Sequence, residues 1–272
     1  MSGMGTARAV ILARGLGTRM RKADADATLD AAQSAAADIG VKGMIPIGRP
    51  FMDYLISALA DAGFTDVCLV IGPEHQVVRE YYERETAPLR VRIHFAVQEQ
   101  PRGTADAVLA AEQFAMDQPF VVINSDNYYP VSALVELPRR SAPALIAFER
   151  GALVRLGNVP PERVERFGAL EIDADGCLRR ILAKPTDAMR AAPELYASLN
   201  CWLFTRDIFR PCRDVPPSAR GELELPQAVQ LAIDEHGARF EAVRVSAPVL
   251  DMSSRADIAS VAERLAGVRV LL

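Results

Sequence analysis

The 272-residue sequence predicts an α/β protein: one Rossmann-like domain with a mixed, mostly parallel sheet flanked by helices, and a smaller mixed α+β lobe in its second half. Three observations carry this. Through the first half, strand-like apolar runs alternate with helically spaced ones, the pattern of a parallel sheet covered by helices. The first and fourth runs are apolar throughout, as strands buried on both faces are. Polar clusters at residues 15–19, 98–104 and 124–127 follow strand-like runs, and ligands of open α/β sheets bind beyond the carboxyl ends of the strands.

In chain order, residues 10–12 read as the first strand, breaking into Gly15-Leu-Gly17-Thr18-Arg19. Residues 23–39 are rich in Ala and Asp and predict a solvated surface helix, with a lid over bound phosphates as the sharper alternative. Residues 51–62 have helical spacing and stop at Gly63; residues 67–71 form a second strand ending at Gly72-Pro73, and residues 74–84 the helix after it. Residues 91–97 read as a third strand, 104–115 as an alanine-rich helix, and 120–123 as a fourth strand running into Asn124-Ser-Asp126-Asn127. The second half is more mixed: strands at 144–148, 168–172, 178–182 and 200–204, a hairpin-type turn at Asp173-Ala-Asp175-Gly176, a helix at 222–235, a strand at 240–245 and a closing helix at 257–265. No repeat interrupts this order.

Composition excludes several function classes. Half of the residues are hydrophobic and 24% are charged, which is ordinary for a globular chain and too apolar for disorder. A net charge of −4 argues against the basic excess of a nucleic-acid partner. No apolar run approaches a membrane span and no signal-type core precedes the first strand, so a cytoplasmic protein is expected. Four cysteines (Cys68, Cys177, Cys201 and Cys212) lie far apart without a Cys-x-x-Cys pair, which suggests neither a zinc site nor a disulfide framework. The three histidines, His75, His94 and His236, show no triad or metal spacing.

The turn after the first strand has the chemistry of a phosphate cradle. Gly15 and Gly17 give backbone freedom and close approach, and Arg19 brings a forked cation suited to phosphate oxygens. It is not a dinucleotide fingerprint, which needs a third glycine near Met20, nor a Walker loop, which needs Gly-Lys-Ser/Thr.

Taken together, Gly15-x-Gly17-Thr18-Arg19, Lys42 with Pro46 and Pro50, Gln98 before Gly103-Thr104-Ala105, and Asn124-x-Asp126 occur in an order that resembles the sugar-1-phosphate nucleotidylyltransferases. The likeness continues in Phe167-Gly168, Ala183-Lys184-Pro185, Arg220-Gly221-Glu222 and Val249-Leu250-Asp251, and so spans nearly the whole chain. The resemblance implies the nucleotide-diphospho-sugar transferase type of fold, with residues 1–130 as a nucleotide-binding half and 131–272 as an acceptor-binding half. It also implies an enzyme that joins a nucleoside triphosphate to a sugar 1-phosphate and releases pyrophosphate. Oligomeric state is left open, a homo-oligomer included.

The resemblance assigns roles by position. Ala13, Gly15, Gly17 and Thr18 would hold the triphosphate, Arg19 would grip its phosphates, and Lys42 would neutralise charge at the α-phosphate. Gln98 would read a pyrimidine imide, with Gly103 and Thr104 completing the wall of the base and ribose, which implies UTP or dTTP. Asp126 and Asp251 would hold Mg²⁺, Lys184 the incoming phosphate, and Gly168, Asn200 and Glu222 would line the acceptor side. Departures from the family pattern are Arg14 in place of a small residue beside the base, Ala183 in place of an acid, and Trp202 at or beside a glycine facing the acceptor. The segment between Arg19 and Lys42 is also long and lacks the usual proline, which leaves Lys22 as an alternative cation. These departures keep two further readings open: transfer of a cytidylyl or other nucleotide to a non-sugar phosphate, and a non-catalytic relative that binds sugar nucleotides and regulates a partner.

Overall fold

Arg8–Leu12 forms the first strand, β1, in the centre of a parallel sheet with its side chains divided between two apolar cores. Ala9 and Ile11 pack into one core and Val10 and Leu12 into the other, all 8% exposed or less. This is why the run carries no polar alternation. The structure is a computed structural model that describes residues 7–22, 24, 27, 29–140, 143–190 and 194–272.

The other strands are β2 (Asp66–Ile71), β3 (Arg92–Val97), β4 (Phe120–Asn124), β5 (Asn127–Tyr128), β6 (Ala144–Glu149), β7 (Ala169–Ile172), β8 (Leu178–Leu182), β9 (Tyr196–Ala197), β10 (Trp202–Phe204), β11 (Glu241–Val245) and β12 (Leu250–Asp251). Together with β1, nine of them form one sheet in the order β3-β2-β1-β4-β10-β6-β9-β7-β8, with β11 paired to β6. β3, β2, β1 and β4 are mutually parallel. β10 runs antiparallel to both β4 and β6, so the sheet is continuous across residue 130, and β11 lies parallel to β6. Beyond β6 the pairing of β9, β7 and β8 is antiparallel throughout, the mixed lobe expected of the second half. β5 and β12 form a separate two-stranded ribbon.

Helix Phe51–Asp61 is buried along nearly its whole length, including Asp53 at 0% exposure. That carboxylate is satisfied by Arg49 Nε (2.9 Å), Tyr81 Oη (2.8 Å) and Tyr82 Oη (2.8 Å), as a buried charge must be. Both tyrosines reach it because helix Gln76–Glu80 continues as a wide π turn over Tyr81–Glu85, a change of pitch that the apolar spacing of residues 74–84 did not reveal.

The expected helix at 104–115 is broken at Ala111 into Thr104–Ala110 and Glu112–Ala115. The one expected at 222–235 begins only at Leu225, with Pro226 in its first turn. Residues 222–224 instead stay extended and tie back to the loop before Thr104: Leu223 N–H donates to the Arg102 carbonyl (2.7 Å) and Ala105 N–H to the Leu223 carbonyl (2.8 Å). The strand expected at 200–204 starts at Trp202, since Asn200 takes a left-handed φ of 54° that asparagine tolerates.

Of the segment 23–39, Ala31–Ile39 is helical, started by a reciprocal capping box between Asp30 and Gln33. It is mostly solvated, with Ala37 buried. Residues 23, 25, 26 and 28 lie outside the described residues. Among the described residues, no helix is long and apolar enough to cross a membrane. All four cysteines are unpaired; burial pushes the Cys68 and Cys212 thiols up to about 12 and that of Cys201 further.

Candidate active site

The polar clusters expected at the strand ends meet in a cavity of about 340 Å³ at the carboxyl ends of β1, β3 and β4. Its position fits the topology, because β1 has β2 on one side and β4 on the other, and crevices form where the strand order reverses. Ala13, Gly15, Gly17 and Thr18 line one wall, where Ala13 N–H donates to the Val70 carbonyl (2.9 Å) and fixes the start of the turn.

The two glycines of this turn differ. Gly17 has a left-handed φ of 60°, and a Cβ there would overlap the Gly40 carbonyl oxygen. Gly15 is exposed, has no left-handed φ and has nothing within 4 Å of where its Cβ would be. The fold itself therefore requires glycine at Gly17 and not at Gly15, which corrects the expectation that both serve the turn.

Gly40 ends helix Ala31–Ile39, whose Ile39 carbonyl accepts from Arg21 Nη2 (2.7 Å). Arg255, from near the far end of the chain, donates from Nε to the Met20 carbonyl (2.9 Å) and pairs with Asp38. Helix Ala31–Ile39 is thus a strut under the glycine turn, and three residues beyond its last residue the chain delivers Lys42.

Lys42, on the 3-10 turn Lys42–Met44, points its Nζ to 2.8 Å from Asp126 Oδ2; both residues line the cavity. Lys22 is exposed and takes no part in the lining. Asp251 is 3% exposed, on β12, and pairs in register with Asn127, while Met252 N–H donates to the Asp126 carbonyl (2.8 Å). Burial, and then the charge of Asp126, raise the Asp251 carboxyl above the usual carboxylate range, against the opposing pull of Arg163.

Asp251 is heavily engaged. Its Oδ1 accepts from Asn127 Nδ2 (3.0 Å) and Ser253 Oγ (3.1 Å), and its Oδ2 from Arg163 Nη1 (2.6 Å). A carboxylate offers about four lone-pair positions, so one on Oδ2 is left for a cation. Among the described residues no third His, Cys, Asp or Glu joins the pair. Two mutually repelling carboxylates with spare acceptor capacity suit a hard divalent ion that takes the rest of its shell from water and phosphate, and suit poorly a metal that needs a full protein cage.

On the base side, Gln98 is 4% exposed and Gly103 follows with a φ of 122°. A Cβ at Gly103 would overlap the Leu223 carbonyl oxygen, so glycine is demanded by a backbone crossing. Thr104 lines the cavity, but its hydroxyl oxygen accepts from Leu225 N–H (2.8 Å) and so secures the start of helix Leu225–His236. Arg14 is 7% exposed and lines the cavity. Its Nη1 lies 2.8 Å from Glu74 Oε1 and its Nε donates to the Gln98 carbonyl (3.0 Å), so the unusual cation braces the base wall.

Asn200 and Glu222 complete the lining, Glu222 as an exposed rim residue. Four expected site residues do not line the cavity. Arg19 is exposed on helix Thr18–Arg21, and Lys184 is exposed beyond β8. Gly168 packs on Ile181 ahead of β7, and Asp251 sits beneath Asp126 in the buried ribbon. Trp202 packs as its place in an apolar run suggests: it is 0% exposed, stacks on Phe204 at 5.7 Å and meets Phe240 edge-on at 6.0 Å, and so belongs to the core. Its indole N–H donates to Asn200 Oδ1 (3.2 Å) and helps hold that left-handed residue.

Sequence reading missed Arg163, Asn158 and Ser253, which hold Asp251; Asn158 accepts from the Asp251 N–H (2.7 Å) and donates to its carbonyl (3.0 Å). The sequence offers Asn124 only as part of the Asn124-x-Asp126 motif and Asn127 only as a polar turn residue, although Asn124 joins Asn200 to Asn127 through side-chain amides at 3.4 Å and 3.3 Å.

A mostly parallel sheet whose strand ends hold an anion-suited turn, a lysine and paired carboxylates defines an α/β protein built to handle phosphorylated ligands. The nucleotidyl transferase family profile matches residues 8–247, and the chain belongs to that family. It is 26% identical over 259 residues to the UTP–glucose-1-phosphate uridylyltransferase AglF of Haloferax volcanii, covering 95% of this chain and 96% of that protein. It is 29% identical over 255 residues to a glucose-1-phosphate thymidylyltransferase of Streptomyces antibioticus, covering 93% of this chain and 65% of that protein. A UTP-bound UGPase from Acinetobacter baumannii shares the fold with a TM-score of 0.73 at 18% identity, over 97% of this chain and 95% of that one.

Proposed function

We propose that the chain transfers a nucleotidyl group from UTP or dTTP to a sugar 1-phosphate in the cytoplasm, with residues 1–130 serving the nucleotide and 131–272 the acceptor. The observation that carries this reading is the Lys42–Asp126 pair at 2.8 Å, in a cavity it shares with the Gly15–Thr18 turn and Gln98. Family membership and the names of the relatives point the same way.

The chemistry is a single exchange at phosphorus. An oxygen of the sugar phosphate attacks the α-phosphorus of the triphosphate, the bond from α-phosphorus to the bridging oxygen breaks, and pyrophosphate leaves with the electron pair. A phosphate monoester is largely ionised near pH 7, so no general base is needed; the task is to align two anions and neutralise their repulsion. The turn's backbone N–H groups would orient the triphosphate, and the Lys42 ammonium would offset charge that grows at the α-phosphate. Asp126 and Asp251 would hold Mg²⁺, which supplies further neutralisation of phosphate oxygens. Arg19 and Lys184, outside the cavity lining, serve the phosphates in this reading only when their flexible side chains fold inward onto substrate.

The test is pyrophosphate release from each common nucleoside triphosphate with a panel of sugar 1-phosphates and Mg²⁺. Release with UTP or dTTP and one of the sugars is the expected result. No release with any pair, from a chain that still binds nucleotide, would leave the regulatory reading standing instead.

A further inference from the structure

Gln98 is held more tightly than base reading requires. Its main chain is fixed from both sides, its N–H donating to the Ile71 carbonyl (2.9 Å) and its carbonyl accepting from Arg14 Nε (3.0 Å). Its side-chain amide is fixed as well: Nε2 donates to the Gly103 carbonyl (3.0 Å) and to Asp106 Oδ2 (2.7 Å). Both amide hydrogens are spent, so what Gln98 offers a ligand is Oε1, an acceptor.

Turning the amide over would set Oε1 against the Gly103 carbonyl and the Asp106 carboxylate together, and contact with an ionised acceptor is the costlier of the two. Asp106 itself cannot drift away, because it lies in the first turn of helix Thr104–Ala110, which is pinned through the Ala105 N–H to the Leu223 carbonyl (2.8 Å). No catalytic step above uses this carboxylate.

We infer that Asp106 decides which atom of Gln98 faces the nucleobase and so selects an imide-bearing pyrimidine over cytosine. Uracil and thymine present an N3–H donor that a fixed Oε1 can accept. Cytosine presents a bare N3 acceptor, which meets Oε1 as a repulsion. Asp106 is thus a positioning residue that acts through Gln98. The inference rests on the nucleotidyl transfer reading for its ligand, and its test does not depend on turnover.

Calorimetric dissociation constants for UTP, dTTP and CTP are compared among the wild type, Asp106→Ala and Asp106→Asn, with melting temperature as the control for folding. The wild type is expected to prefer UTP or dTTP to CTP. Asp106→Ala is expected to lower that preference about tenfold or more, the scale of one buried acceptor relieved of its mismatch. Asp106→Asn is isosteric and can turn either an oxygen or an NH₂ to Gln98, so it is expected to lower the preference by a smaller factor. A wild type without preference, variants that both keep the wild-type ratio, or equal weakening of all three nucleotides would each overturn the inference. Pyrophosphate assays then separate the two failures. A wild type that discriminates in binding but transfers no nucleotide overturns the function and leaves the positioning role intact.

Discussion

At the residue scale the site turns on Lys42, the cavity-lining cation that meets a carboxylate proposed to hold the metal. Its side chain is 14% exposed and that of Asp126 25% exposed, so both charges are partly desolvated and each partner depends on the other for compensation. Lys42→Ala removes positive charge where negative charge grows. Measured by steady-state pyrophosphate release, kcat is expected to fall on the order of 10²–10³, the loss seen when one oxyanion donor is removed. Asp126→Ala is expected to fall further, because the divalent ion loses its cavity-side anchor. The resemblance singled out Lys42 and Asp126 by their place in the family order, and both line the cavity. Arg163 left no such mark: it is a surface-type residue on the four-residue helix Pro161–Val164, and only the tertiary fold carries it 88 positions to Asp251. Arg19 and Lys184 were placed by order along the chain alone, and neither lines the cavity.

At the scale of elements, the glycine turn and the helix beneath it behave as one unit. Long strands and helices were legible because their apolar period persists for several residues. β5, β9 and β12 have two residues each, too few to display a period, yet the β5–β12 ribbon is what sets Asp251 beside Asp126. Likewise, alanine promotes helix without announcing what the helix touches, so the solvated helix Ala31–Ile39 was legible while the support it gives the glycine turn was not. The contact between Gly17 and Gly40 separates folding from binding. Gly17→Ala places a side chain at a left-handed φ and against a carbonyl, and is expected to cost about 1–3 kcal/mol in thermal or urea unfolding. Gly15→Ala meets nothing in the protein, so its melting curve is expected to match the wild type while triphosphate affinity falls, because only a ligand approaches there. A comparable loss of stability in both variants would mean that the turn is strained as a whole.

At the scale of the whole molecule, parallel pairing of β1, β2 and β3 gathers three turns distant in sequence, and the stability of the chain against pH registers that assembly. His75 lies in the turn after β2, 4% exposed, with the Gly72 N–H donating to its Nδ1 (3.3 Å). The charges that act on it are one anion, Glu74, whose Oε1 lies 3.7 Å from the imidazole Nε2, and two cations, Arg14 and Arg21. Burial, aided by the two arginines and opposed by Glu74, lowers the imidazole below its ordinary 6.5. Between that lowered value and 6.5 the unfolded chain binds the proton and the folded chain does not. Folding stability therefore rises with pH across this window, is complete above 6.5 and is lost as pH falls toward the folded value. The slope from this one group is at most about 1.4 kcal/mol per pH unit. Urea unfolding of the wild type and of His75→Gln, at half-unit steps from neutral pH to above the carboxylate range, is expected to show the wild type losing stability faster on acidification and the variant lacking that share of the slope. Parallel curves would mean that the imidazole already accepts its proton in the folded state, and that the Arg14–Glu74 brace beneath the base wall shields it from neither water nor charge.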